Sequence, residues 1–161
     1  MEQGRLTGGS VALNNTTLWI TGGISTFPHW QCRNTTEFLK FNHSKSIPGP
    51  ILPRKCIKRH CLTKLNESMI IITGGYPYVN EIYLVDMFKN FSIIKGPPLL
   101  IGRHDHSCGT FKLNDKTMVI VSGGTDGNSK PIPINSTELW DPTSQDGWAK
   151  GKVIAKLRNA I

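Results

Sequence analysis

Leu18-Trp19-Ile20-Thr21-Gly22-Gly23, Ile70-Ile71-Ile72-Thr73-Gly74-Gly75 and Val119-Ile120-Val121-Ser122-Gly123-Gly124 are one pattern written three times: an apolar run, a hydroxyl residue, and a glycine pair. The first glycines of the pairs, Gly22, Gly74 and Gly123, stand 52 and 49 residues apart. A period near fifty sets the unit of architecture before any single motif is weighed. Apolar residues rich in β-branching, with no polar alternation, predict a strand buried on both faces. The glycines that follow permit positive φ and close approach of a neighbouring backbone.

The flanks repeat as well. Ahead of each run stand a leucine and a short polar turn: Leu13 with Asn14-Asn15-Thr16, Leu65 with Asn66-Glu67-Ser68, and Leu113 with Asn114-Asp115-Lys116. Asn and Asp tolerate the left-handed backbone of tight hairpins, so each turn predicts a strand pair. After each glycine pair a third strand opens with Thr36-Glu37-Phe38-Leu39, Asn80-Glu81-Ile82-Tyr83 or Thr137-Glu138-Leu139-Trp140, which aligns Glu37, Glu81 and Glu138. A fourth closes at Pro48-Gly49-Pro50, Lys95-Gly96-Pro97-Pro98 or Lys150-Gly151, and an arginine follows at Arg54, Arg103 or Arg158. Four short strands per fifty residues describe a propeller blade.

With these features the sequence resembles the Kelch repeat family over nearly its whole length. The family's glycine pair is present in all three units. Its tyrosine position reads Leu39, Tyr83 and Trp140, and its tryptophan position reads Ser46, Ile93 and Trp148, so only the third unit is near consensus. The resemblance implies an all-β, Kelch-type β-propeller fragment of three four-stranded antiparallel blades, approximately 6–54, 55–103 and 104–158. An ordinary sandwich has no reason to repeat at fifty. Propellers close with about 4–8 blades; three therefore imply missing blades or a second copy, and Leu157-Arg158-Asn159-Ala160-Ile161 falls where a fourth blade would begin. The resemblance also implies a protein–protein interaction module rather than an enzyme. Intracellular members join the propeller to a BTB domain as ubiquitin-ligase adaptors, and some relatives are galactose-oxidase-like copper enzymes.

The net charge of +8 suits an anionic partner. In such a blade the loops after the second and fourth strands share one end. That end holds Arg33, Arg54, Lys55, Lys58, Arg59, Arg103, Lys130 and Arg158 against only Asp105 and Asp126, whereas the opposite turns are net acidic. Arg54, Lys55, Lys58, Arg59 and Arg103 are thus the candidate contacts for another protein with an acidic segment. The cluster lacks the interleaved aromatics of a single-strand nucleic-acid platform, which argues against nucleic acid. The longest apolar runs fall far short of the roughly 20 residues of a membrane span, so no membrane insertion is expected.

Nothing points to catalysis or to a cofactor. His104-Asp105-His106 has the spacing of a metal pair, but it sits at an ordinary unit junction and reads as structural. The three tyrosines, Tyr76, Tyr78 and Tyr83, lie in one unit without the histidines a copper radical site needs. Four cysteines, Cys32, Cys56, Cys61 and Cys108, allow three pairings and contain no Cys-x-x-Cys. Asn-x-Ser/Thr acceptors occur at Asn14, Asn15, Asn34, Asn42, Asn66, Asn90 and Asn135, against about two expected by chance. The excess favours a secreted or cell-surface protein, although Asn followed by Ser or Thr is also turn chemistry.

Overall fold

The computed structural model describes residues 4–25, 30–77, 79–126 and 132–153. Among them there is no helix. Fourteen strands run in chain order: β1 (Arg5–Leu6), β2 (Gly9–Asn14), β3 (Thr17–Thr21), β4 (Ile24–Ser25), β5 (Thr36–Lys40), β6 (Ile47–Pro48), β7 (Cys61–Lys64), β8 (Met69–Thr73), β9 (Ile82–Asp86), β10 (Ser92–Lys95), β11 (Ser107–Leu113), β12 (Lys116–Ser122), β13 (Ser136–Trp140) and β14 (Trp148–Val153). They form three four-stranded antiparallel sheets, β2-β3-β5-β6, β7-β8-β9-β10 and β11-β12-β13-β14, with a small β1-β4 ladder beside the first. The three apolar runs are the second strands of three separate sheets, which stack without closing.

Pairing register gives a strict equivalence between sheets. Thr21 pairs Thr36, Thr73 pairs Ile82 and Ser122 pairs Thr137. Phase along each second strand then decides which neighbour a side chain meets. Trp19 packs toward the second sheet, joining Ile70, Ile72 and Val85, while Ile71 turns the other way to meet Val119, Val121 and Trp140 of the third. Two cores result, one in each joint. Of the three runs expected to be buried on both faces, only β8 is; β3 and β12 alternate because each has a sheet on one side only.

The hairpins use two solutions. Asn114 and Asp115 take φ of 48° and 63°, the pair of left-handed residues that a twisted two-residue hairpin requires. Asn14 and Asn66 instead accept from the backbone N–H of Thr16 and Ser68 through Oδ1, at 2.9 Å each.

The same register corrects the alignment of the charged residues. Glu37 pairs Ile20 and Glu138 pairs Val121, but the residue pairing Ile72 is Tyr83, and Glu81 lies two positions earlier. The arginine equivalent to Arg103 is Arg5, each standing four residues ahead of its first strand, and Ile57 holds that place in the middle sheet. Arg5 and Arg103 pair with Glu37 and Glu138 at 2.6 Å in both cases. In the middle sheet Ile57 and Tyr83 replace both partners at once, as expected when a lone buried charge is far costlier than a buried pair. Tyr83 consequently does not share a position with Leu39 and Trp140; Val85 does.

The cysteine pairing, open in the sequence, is Cys32–Cys56 and Cys61–Cys108, with Cα separations of 5.0 and 5.9 Å. Cys61 opens β7 and Cys108 lies in β11, so this bridge joins the second sheet to the third. Cys32–Cys56 ties the loop after β4 to the connection between the first and second sheets.

Candidate functional site

The connections entering the second and third sheets gather most of the polar chemistry at one end of the stack. They are pinned to the glycine pairs. Gly23 N–H donates to the Ile57 carbonyl at 2.8 Å, and Gly75 N–H to the Arg103 carbonyl at 2.9 Å. Gly22 and Gly74 have φ of 57° and 58°, and a Cβ there would strike those same two carbonyls. Gly123 and Gly124 repeat the positive φ, 68° and 85°, at the outer edge of the third sheet.

Three residues at one equivalent place, Thr7, Arg59 and Asp105, all adopt left-handed backbone with φ of 56°, 55° and 55°. They are chained, Arg59 N–H donating to the Thr7 carbonyl at 2.8 Å and Asp105 N–H to the Arg59 carbonyl at 3.0 Å. Strained non-glycine backbone of this kind persists only where surroundings hold it. The chain of bonds sets Arg59 beside Asp105, and their side chains pair at 2.8 Å near the surface. Lys58 Nζ lies 4.3 Å from the centre of the Tyr76 ring, and Tyr76 meets the His104 ring edge-on at 5.6 Å. Lys58, Arg59, Tyr76, His104 and Asp105 therefore form one continuous cluster.

The sequence candidates divide within this frame. Lys55 and Arg59 are exposed and Lys58 is half-buried. Arg54 turns inward, 3.7 Å from Glu81, and donates to the Tyr76 carbonyl at 3.4 Å. Glu81 also accepts from the Tyr83 hydroxyl at 2.9 Å; burial would raise its pKa, but Tyr83, Lys95 and Arg54 outweigh burial and hold it low. Burial, with the same bond behind it, pushes the Tyr83 hydroxyl up to about 12. Arg103 is not a surface contact. Its side chain is 0% exposed, and its guanidinium is taken up by Glu138 and by the Gly123 and Ser136 carbonyls. It is a structural residue, because the connection carrying it dives under the loop surface. Lys130 and Arg158 lie outside the described residues.

His104, Asp105 and His106 do not converge. His104 Nδ1 lies 2.9 Å from Asp105, whereas His106 points into the joint, its Nε2 2.7 Å from Thr73 Oγ1. His60 makes the matching 2.7 Å bond with Thr21 in the other joint. Burial lowers both rings, His60 to about 3 and His106 to about 4. Of the candidate glycan acceptors, Asn42, Asn66, Asn90 and Asn135 are exposed, while Asn34 is half-buried and donates to the Leu52 carbonyl at 3.1 Å. Asn80 makes the same bond to Leu99, so this amide is part of the frame.

Tyr76 and the Arg59–Asp105 pair escaped the sequence reading as a unit. Their signal was available in one respect: Arg59 and Asp105 each directly precede the histidine that opens a unit, with opposite charge. Trp30 and Ile132, 62% and 61% exposed, add apolar surface in the loops after β4 and β12.

No family model matches the sequence, and no curated protein matches it. Among solved structures, that of YjhT superposes with a TM-score of 0.71 at 14% identity, over 94% of this chain and 52% of the YjhT chain. At that identity the likeness is one of fold, and this chain spans about half the length of the structure it resembles.

Proposed function

We propose that this chain is a three-bladed portion of a Kelch-type β-propeller and that its loop end binds another protein through an acidic segment, with no catalytic role. The observation that carries the reading is the surface cluster of Lys55, Lys58 and Arg59 beside Tyr76, mounted on a connection whose Ile57 and Lys58 carbonyls accept from Gly23 N–H of the first sheet's glycine pair and from Tyr76 N–H, next to the second sheet's pair. Tyrosine, tryptophan and arginine are the residues in which binding energy concentrates, and a rigid mount lowers the ordering cost of using them. Three cations on one loop end also steer an anionic partner toward it.

The setting is secreted or cell-surface. Two disulfides that join different parts of the stack favour an oxidising compartment, and the exposed acceptors Asn42, Asn66 and Asn90 lie in turns at the end opposite the cations. This favours an extracellular recognition module over a cytosolic ligase adaptor.

Screening a displayed library of Asp/Glu-rich peptides against the chain tests the reading. The triple variant Lys55→Glu, Lys58→Glu, Arg59→Glu should lose at least about tenfold in affinity for enriched peptides, roughly 1.4 kcal/mol, with its unfolding midpoint unchanged. Enrichment that survives the triple reversal, or binding insensitive to salt, would overturn it.

A further inference from the structure

We infer that two copies of this chain associate head to tail, the outer face of the third sheet of each seating on the outer face of the first sheet of the other. The basis is phase. In both joints the residue type is fixed by position: Trp19 and Ile71 face the following sheet, and Ile70, Ile72, Val119 and Val121 face the preceding one. The equivalent of the first set in β12, Ile120, looks outward from the third sheet, and Met118 and Ser122 share its face. The equivalents of the second set in β3, Leu18 and Ile20, look outward from the first. The two outer faces are therefore the two halves of a joint the molecule already makes twice.

The details around the strands agree. A Cβ on Gly22 or Gly74 would collide with the carbonyl of the following connection, whereas on Gly123 it would meet only the Ile134 carbonyl at 3.8 Å. Among the described residues nothing fills the space that the next connection fills elsewhere, yet the left-handed glycines are kept. On the other side, Arg5 and Glu37 form on the first sheet the same ion pair that Arg103 and Glu138 bury inside the joint between the second and third, with side chains already 5% and 9% exposed. This pair would enter the docked face already neutralised. By register, Gly124 N–H would reach the Arg5 carbonyl of the second copy, as Gly23 reaches Ile57 and Gly75 reaches Arg103. One bond is not reproduced, since Gly8 stands where His60 and His106 meet a threonine.

The occupant is a second copy because each chain carries both complementary faces. An interface of this heterologous kind forms a closed ring when the rotation per joint permits and a filament otherwise. Two copies would make six sheets, and the solved chain on which this one superposes is about twice as long. The inference does not depend on partner binding at the loop end.

A register-specific cross-link tests it. Cys61 and Cys108 bridge first-strand positions whose equivalents in the outer faces are Ser107 in the third sheet and Ser10 in the first, both exposed. In the first joint the same two places are Gly9 and Leu62, which are in contact. Light scattering of the 161-residue chain should give twice 17.9 kDa. The combined Ser10→Cys and Ser107→Cys variant, oxidised and run without reductant, should be a covalent dimer whose peptide map links those two positions. Either substitution alone should give no such link. A monomer by light scattering with no intermolecular link, or a ladder of higher multiples in place of a dimer, would overturn the inference.

Discussion

Arg103 shows how far a residue's neighbours decide its meaning. In the string of letters it is one more cation on a basic end; in the fold it is 0% exposed and answers Glu138 at 2.6 Å. Glu138 also accepts from the Leu100 and Ile101 N–H groups, at 2.6 and 3.1 Å, so removing the carboxylate strands three donors at once. Glu138→Gln or Arg103→Met alone should cost about 3–5 kcal/mol in urea unfolding. The middle sheet suggests the remedy, since Ile57 and Tyr83 fill the same two places and Pro53, which follows Leu52 as Leu100 follows Leu99, has no N–H to satisfy. The variant combining Leu100→Pro, Arg103→Ile and Glu138→Tyr should be more stable than either single change, despite altering more atoms. If the losses simply add, the two sheets do not share this exchange.

Strands and turns carry their own test in the glycine pairs. Gly74 and Gly123 have nearly the same backbone, φ of 58° and 68°, but Gly74 lies against the Arg103 carbonyl and the His106 ring, whereas among the described residues a Cβ on Gly123 would meet only the Ile134 carbonyl at 3.8 Å. In the separated chain, at dilutions where copies do not associate, alanine at Gly123 should cost about 1 kcal/mol, the conformational strain alone, and at Gly74 at least about twice that, because backbone must move as well. Equal losses by thermal or urea unfolding would mean that the joint does not crowd Gly74. The strand pattern was legible in the sequence because glycine at positive φ has few substitutes and because β8 needs apolar residues on both faces. The third strands were not. Glu81 looks aligned with Glu37 and Glu138, and only pairing shows Tyr83 in that place; the letters do not mark Asn34 and Asn80 as equivalent, which the fold does by bonding their carbonyls to the Leu52 and Leu99 N–H groups. The cysteine pairing was hidden for a similar reason, since Cys61 and Cys108 are neighbours only once two first strands lie side by side.

The whole molecule is held at two joints, each with a buried histidine, and its response to acid follows. The folded-state values of His60 and His106, about 3 and about 4, lie below the 6.5 of an unfolded histidine. The unfolded chain therefore binds these protons first as pH falls. Stability from this source is complete above about pH 6.5 and declines as pH falls toward the folded values, by roughly 1 kcal/mol per pH unit for each ring over the steep part. Between pH 7 and 5, before most carboxylates titrate, the urea midpoint should fall, and His60→Gln with His106→Gln should flatten the fall. A wild-type midpoint that is level across this range would show that the rings are protonated in the fold. The phase rule that builds the joints reaches beyond stability. Since every unit offers one kind of face behind and its complement ahead, loss or duplication of a whole fifty-residue segment would leave the newly adjoining surfaces matched. Gene rearrangements of that length should be tolerated where a cut of half a unit is not, so chains of this design can change in size by whole units without redesigning their cores.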